Sequence, residues 1–371
     1  MSVKSIGAAR GASPLDLDCN RRCPLLDLNN EILELTNIES RKLEIRCHRF
    51  QISTGGEAVI DTVEHRIGDS GLSNKVSREY RPAMSSRRTR VRGRANIHNS
   101  RQERTMESAE RNGVELSYRV VGDGDRDLLL VHGWMVSGTV FDELIEALDG
   151  ERWRLIVPDL RGAGASGEAE SYRLQDYAGD LEAIVDAAGA SSVSIGGHSM
   201  GGQIAQLFAA TYPERVERMV LLSPVPASGI ELPGEIDELF RQSGADRTRQ
   251  AQILDMACLD LPDAAAGRLL DAAEAISPDC IRQSYRAWTT GGFRQSLSQI
   301  TAPTLVVASD DPFLPAELLE TAVVEPIADA RLVHIGGAGH YIPVERPGQT
   351  ADVVEDFFDD PSHTSPAVGR G

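Results

Sequence analysis

The 371-residue chain is 41% hydrophobic and 25% charged, the balance of a folded, water-facing protein rather than a disordered or fibrous one. No apolar run approaches the roughly 18 residues that cross a bilayer, which argues against an integral membrane protein. The net charge of −18 is unevenly placed. Residues 1–105 carry 19 Lys and Arg against 13 Asp and Glu, and the remainder carries 19 against 43, so the larger part repels nucleic acid.

The amino terminus lacks the apolar stretch of a secretory signal, and a cytoplasmic setting is the expectation. The five cysteines, Cys19, Cys23, Cys47, Cys258 and Cys280, are an odd number, which fits reduced thiols. Cys19 and Cys23 have the spacing of half a metal site, but no second pair matches them. No metal or cofactor is expected. A small-molecule substrate is, with no nucleic acid for the main domain and no membrane.

Within residues 1–105, "EILELTNIESRKLEIRCHRFQIS" (31–53) alternates enough for a strand or two. "SSRRTRVRGRANIHNSRQER" (85–104) is basic and almost without large apolar groups, so it cannot offset its ordering entropy. It reads as a nucleic-acid or anionic-membrane tail, or as part of a non-native extension. The second reading is preferred, because "MESAERNGVELSYRVVGDGD" from Met106 reads as a domain start. Residues 1–105 are therefore expected to be disordered or a non-native extension, and 361–371 a flexible tail.

From Met106 to Asp360 the pattern becomes regular. "VELSYRVVG" alternates as a strand after the hairpin dipeptide Asn112-Gly113. Further strands are predicted at 128–133, 154–160, 192–197, 218–224, 304–309 and 330–336. Helices are predicted at 140–149, 174–189, 200–212, 315–324 and 348–358. Apolar strands alternating with helices imply a mostly parallel sheet covered on both faces, an α/β architecture. Residues 227–300 carry helical patterns without a convincing strand and read as an inserted helical cap.

The chemistry concentrates around "SSVSIGGHSMGGQIAQLFAATYP" (191–213). With glycine at 34 of 371 positions, chance alone supplies about 0.2 matches to G-x-S-x-G in such a chain. This match follows an apolar strand and opens an amphipathic helix, the setting in which a sharp turn lifts a serine above the sheet edge. Gly197 and Gly201 remove side chains that would clash with each other across the turn. Helix-start amides there favour developing negative charge, so Ser199 is the candidate nucleophile.

A hydroxyl needs a base, and the base needs an orienting group. His340, in the glycine-rich "GGAGHYIPVERP" (336–347), follows the last strand at the same sheet edge and is the candidate base. His334 lies within a strand, His363 in the tail, and His198 is read as structural. "TLVVASDDPFLP" (304–315) offers Asp311 as the acid, with Asp310 second. "LLLVHGWMVSG" (128–138) ends a strand at His132-Gly133-Trp134, so the Trp134 and Met200 amides are the candidate oxyanion donors.

These motifs, with "DLRGAGASG" (159–167), run in the order Ser, Asp, His, and the chain from about Met106 to Asp360 resembles the α/β-hydrolase superfamily. The resemblance implies an α/β-hydrolase fold with Ser199 as nucleophile, His340 as base and Asp311 as acid. Asp311 and Pro315 keep the family's spacing. Relatives that open epoxides or displace halide use aspartate at the elbow, so serine argues against those reactions. The leading expectation is a serine hydrolase that cleaves a small, fairly apolar carboxylic ester or lactone through an acyl-enzyme. The alternatives are a cofactor-free haloperoxidase or perhydrolase, a carbon–carbon bond hydrolase with the same triad, and a ligand receptor on the same fold. Phe240, Leu254, Met256, Trp288 and Phe293 of the cap, with Trp134, Met135 and Tyr341, are candidates to wall an apolar pocket. Arg282, Arg286 and Arg294 are candidates to bind a substrate carboxylate.

Overall fold

The computed structural model describes residues 104–360 and, between residues 23 and 81, the backbone of five strands. The chain divides into two units, residues 1–98 and 99–371. The first is an antiparallel meander of β1 (Cys23–Asp27), β2 (Glu31–Ile38), β3 (Lys42–Ile52), β4 (Ala58–Gly68) and β5 (Gly71–Arg81), paired in chain order. The one or two strands expected in 31–53 are β2 and β3. The other three, β1, β4 and β5, are additional to the expected strands. The basic run before Arg104, Cys19 and the tail with His363 lie outside the described residues.

The second unit is built on eight strands: β6 (Arg104–Arg111), β7 (Val114–Val121), β8 (Arg126–Val131), β9 (Trp153–Pro158), β10 (Val193–His198), β11 (Val216–Leu222), β12 (Thr304–Ser309) and β13 (Ala330–Ile335). Their order is β13-β12-β11-β10-β8-β9-β7-β6. The six from β8 onward are parallel, while β6 and β7 form an antiparallel hairpin at one edge. Asn112 and Gly113 close that hairpin with φ of 53° and 77°, both positive as a two-residue turn of this hand requires. The sheet thus starts at Arg104, two residues before the expected boundary. Its first strand, "RTMESAER", is too polar to stand out in sequence.

The apolar runs are double-sided, as a covered parallel sheet demands. On β8, Leu129 and Val131 pack with Leu181 and Ile184 of α2 (Leu174–Ala187) and with Ile204 and Phe208 of α3 (Met200–Thr211). Leu128 and Leu130 face the opposite layer, with Leu144 of α1 (Asp142–Ala147) and Phe357 of α10 (Pro347–Asp359). Each such fully buried side chain contributes roughly 1.5–3 kcal/mol. The helix expected at 315–324 is α8 (Ala316–Leu319) running into a π turn at Glu320–Val324, and α9 (Ile342–Glu345) precedes α10.

Between β11 and β12 the chain makes the expected helical excursion: α4 (Gly234–Arg241), α5 (Arg247–Ala257), α6 (Asp263–Ala275) and α7 (Pro278–Thr290). Local chemistry sets these helices. Asp246 accepts from the Arg249 amide to cap α5, and Ser277 caps α7 ahead of Pro278. Gly291, with φ 55°, ends α7. The excursion leaves and returns at one point: the amides of Gly292 and Phe293 both donate to the Ala227 carbonyl, at 2.9 and 3.2 Å. Among the described residues, no helix is long and apolar enough to cross a membrane.

Candidate active site

The strand order reverses between β8 and β10, where α/β sheets place ligands beyond their carboxyl ends. Ser199 stands there, between β10 and α3. Its backbone is held at φ 56° and ψ −123°, a region that side chains other than glycine rarely adopt. Four hydrogen bonds keep it so. The Ser199 amide donates to Leu222 O at 3.0 Å, and its carbonyl accepts from Gly202, Gln203 and Val225 at 2.9, 3.2 and 3.1 Å. A Cβ on Gly197 would lie 2.5 Å from Gly201 O, across the turn as expected. Gly201 has a different reason for being glycine: its Cβ would meet the carbonyls of Val131 and His132 at 2.1 and 2.4 Å, so it lets α3 approach the end of β8.

The turn after β8 comes equally close. A Cβ on Gly133 would lie 2.9 Å from Ser199 Cβ. His132 fixes this turn through both ring nitrogens. Its Nε2 accepts from the Leu160 amide at 2.9 Å, so the proton is on Nδ1, which donates to Gly133 O at 2.8 Å. Burial lowers the His132 pKa and keeps the ring neutral. Trp134 and Met200 are both buried beside Ser199. Met200 opens α3, so its amide has no acceptor within the helix.

His340 and Asp311 meet at the ends of the loops that follow β13 and β12. His340 Nδ1 lies 2.6 Å from Asp311 Oδ2, and the carboxylate is fully enclosed. Burial pushes the Asp311 carboxyl up, but the opposing charge and hydrogen bond of His340, with the amides of Phe313 and Leu314, outweigh it and hold the pKa below the usual value. Asp310 points elsewhere. It accepts from the Gly337 amide at 2.7 Å and pairs with exposed His334 at 3.1 Å. His198 is buried behind the loop, its Nε2 donating to His340 O at 3.0 Å. Its pKa is pushed down to about 3, first by burial and then by the His340 charge.

Ser199 and His340 line one cavity. Trp134, Phe240, Trp288 and Tyr341 wall it, with Phe313 and Ile253. The other wall candidates lie elsewhere. Leu254 and Phe293 are buried in core clusters, Met256 is exposed, and Met135 lines a smaller neighbouring cavity. The three arginines are also absent from this wall. Ile281, Tyr285 and Trp288 form the buried face of α7, which turns Arg282 and Arg286 outward to a surface groove. Arg282 pairs with Asp279, and Arg294 donates to Thr321 O. Two contributors escaped the sequence reading. Ala257 lends its carbonyl to the His340 amide at 2.7 Å, and Glu345 is a buried carboxylate beneath the histidine loop. The quoted "VERP" contains Glu345 but does not reveal its partners.

Residues 128–267 match the family model of the alpha/beta hydrolase fold. A serine hydrolase-like protein of Danio rerio is 34% identical over 135 residues, 36% of this chain; the chain spans 40% of that protein's length. A non-heme haloperoxidase of Rhodococcus erythropolis is 29% identical over 254 residues, covering 62% of this chain and 90% of that one. An esterase from Exiguobacterium antarcticum superposes with a TM-score of 0.63 at 21% identity, over 68% of this chain and 98% of its own. With the sheet order, the cap and the strained serine turn, these likenesses define the class by architecture: the chain has the α/β-hydrolase fold.

Proposed function

We propose that the protein hydrolyses a small, fairly apolar carboxylic ester or lactone through an acyl-enzyme on Ser199. The carrying observation is the Asp311–His340 hydrogen bond of 2.6 Å, with His340 and Ser199 lining the same apolar cavity. In this reading His340 Nε2 takes the Ser199 hydroxyl proton as the oxygen bonds to the substrate carbonyl carbon. Asp311 holds the imidazole by Nδ1 and stabilises its charged form. The Trp134 and Met200 amides receive the oxyanion, each worth roughly 3–4 kcal/mol in the transition state. The tetrahedral centre collapses as the C–O bond to the alcohol breaks and the imidazolium returns its proton to that oxygen. Water, deprotonated by His340, then releases the acid and restores Ser199.

Peracid formation is the second reading, favoured by the likeness to the Rhodococcus haloperoxidase; there hydrogen peroxide takes the place of water on the acyl-enzyme. The described residues of the cavity wall include no Arg or Lys, which disfavours a substrate that needs a cation for its carboxylate, as a carbon–carbon bond hydrolase would require. A fluorophosphonate probe tests the core of the proposal. Labelling at Ser199 that is lost in Ser199→Ala and His340→Ala, with turnover in an ester and lactone screen, is the expected result. No labelling of folded wild type overturns it and leaves the ligand-receptor reading.

A further inference from the structure

Below the His340 loop, Glu345 is 6% exposed, and no cation among the described residues pairs with its carboxylate. It is held by backbone amides from two separate parts of the chain. Oε2 accepts from Leu259 and Asp260, both at 2.8 Å, in the loop between α5 and α6 of the cap. The same oxygen accepts from Gly339 at 3.0 Å, and Oε1 accepts from Tyr341 at 3.2 Å. Gly339 and Tyr341 flank His340. A carboxylate that receives several amide bonds is strongly satisfied, whereas the same amides left without an acceptor carry their full desolvation penalty.

Two further contacts join the same pieces. The His340 amide donates to Ala257 O at 2.7 Å, at the end of α5. A Cβ on Gly339 would lie 2.2 Å from that carbonyl, so glycine is what allows the two loops to touch. Ala257 also lines the cavity that holds Ser199. One buried anion therefore ties the chain segment that carries the imidazole to the segment of the cap that walls the substrate space.

We propose that Glu345 is a positioning residue that couples the seating of the cap to the placement of His340. It touches no reacting atom and acts through the backbone on either side of the histidine. The inference rests on the serine-hydrolase reading. Losing the carboxylate releases both loops, and His340 then spends less time within reach of the Ser199 hydroxyl. Misplacement of this kind costs about 10–100-fold in rate when the group moves by an ångström or so. Glutamine keeps the shape and one oxygen for the three amides at Oε2, but sets an NH2 against the Tyr341 amide. Its effect is therefore the smaller.

The test compares Glu345→Ala, Glu345→Gln and a control, Asp271→Ala, which removes an exposed pair with Arg247 elsewhere on the cap and leaves the four amides in place. The expected pattern is a fall in kcat of about 10–100-fold for Ala, a smaller fall for Gln, near-constant KM, and wild-type behaviour for the control. Fluorophosphonate labelling of Ser199 slows in the same order. Hydrogen exchange reads the coupling without catalysis: in Glu345→Ala, the amides of 257–260 and of 339–341 lose protection together. Loosening of one segment alone overturns the coupling. If Ala is not folded, wild-type kcat in folded Glu345→Gln together with unchanged exchange overturns it as well. Labelling of both folded variants at the wild-type rate overturns the positioning role and leaves the serine-hydrolase reading standing. An unlabelled wild type overturns both.

Discussion

Replacing Ser199 by glycine removes the proposed nucleophile, and it should also make the protein more stable. Ser199 is held at φ 56° and ψ −123° by four backbone hydrogen bonds, in a region where a Cβ is crowded and glycine is not. Strain of this kind costs roughly 1–3 kcal/mol at one residue. Glycine gives back about 0.4–1 kcal/mol through its freer unfolded chain. Ser199→Ala is the proper reference, because it removes the hydroxyl and keeps the Cβ. The net gain of Ser199→Gly over Ser199→Ala is therefore about 1 kcal/mol, which in a domain of this size raises Tm by roughly 2–4 °C. Scanning calorimetry of the two variants measures the difference directly, with probe labelling absent from both. If the glycine variant melts at or below the alanine variant, the turn is not strained and the account of how the serine is presented fails.

Gly201→Ala should cost about 1–3 kcal/mol in urea unfolding, because the new Cβ meets two backbone carbonyls of β8 and its turn that cannot rotate away; a loss below about 0.5 kcal/mol contradicts that packing. Asp311→Asn should slow labelling of Ser199 by about 10³–10⁴-fold, while Asp310→Asn stays within about twofold. Equal effects would reassign the acid. His198 gives a stability signature with acid. Its pKa is about 3 when folded and about 6.5 when unfolded, so between these values the unfolded chain binds the extra proton. Stability then falls as pH drops from about 6.5 toward 3, by up to about 1.4 kcal/mol per pH unit from this residue. Buried His132 acts in the same direction, and the lowered Asp311 contributes its own loss only as pH falls through the acid end of the carboxylate range. His198→Gln should flatten the slope measured by urea unfolding at pH 6.5, 5.5 and 4.5; an unchanged slope means the imidazole is not kept neutral.

Ser199, the hydrolase sheet and the cap were legible because each is written locally. A strand, a glycine turn and a helix follow one another within twenty residues, and parallel strands buried on both faces are apolar throughout. His340 and Asp311 were legible for a related reason: a loop at the end of a parallel strand has only one edge of the sheet to reach. The less visible features depend on contacts distant in sequence. β6 is a polar edge strand whose place is set by pairing with β7. The outward turn of Arg282 and Arg286 follows from which face of α7 meets the core, and the helical period alone does not name that face. Glu345 reads as an ordinary acidic residue because its cap partners, Leu259 and Asp260, lie 86 and 85 residues upstream.

The cap begins and ends on a single carbonyl, that of Ala227, so it is attached to the sheet as a loop is attached to a ring, by one closed neck. An insert of that form can lengthen, shorten or be exchanged without shifting any strand against its neighbour. Substrate choice can then diverge while the sheet and its serine turn stay fixed. The exchange has one condition, set at the far end of the insert. A replacement must bring its own carbonyl to the His340 amide and its own pair of amides to Glu345. A chimaera that honours only the neck would fold around an idle histidine.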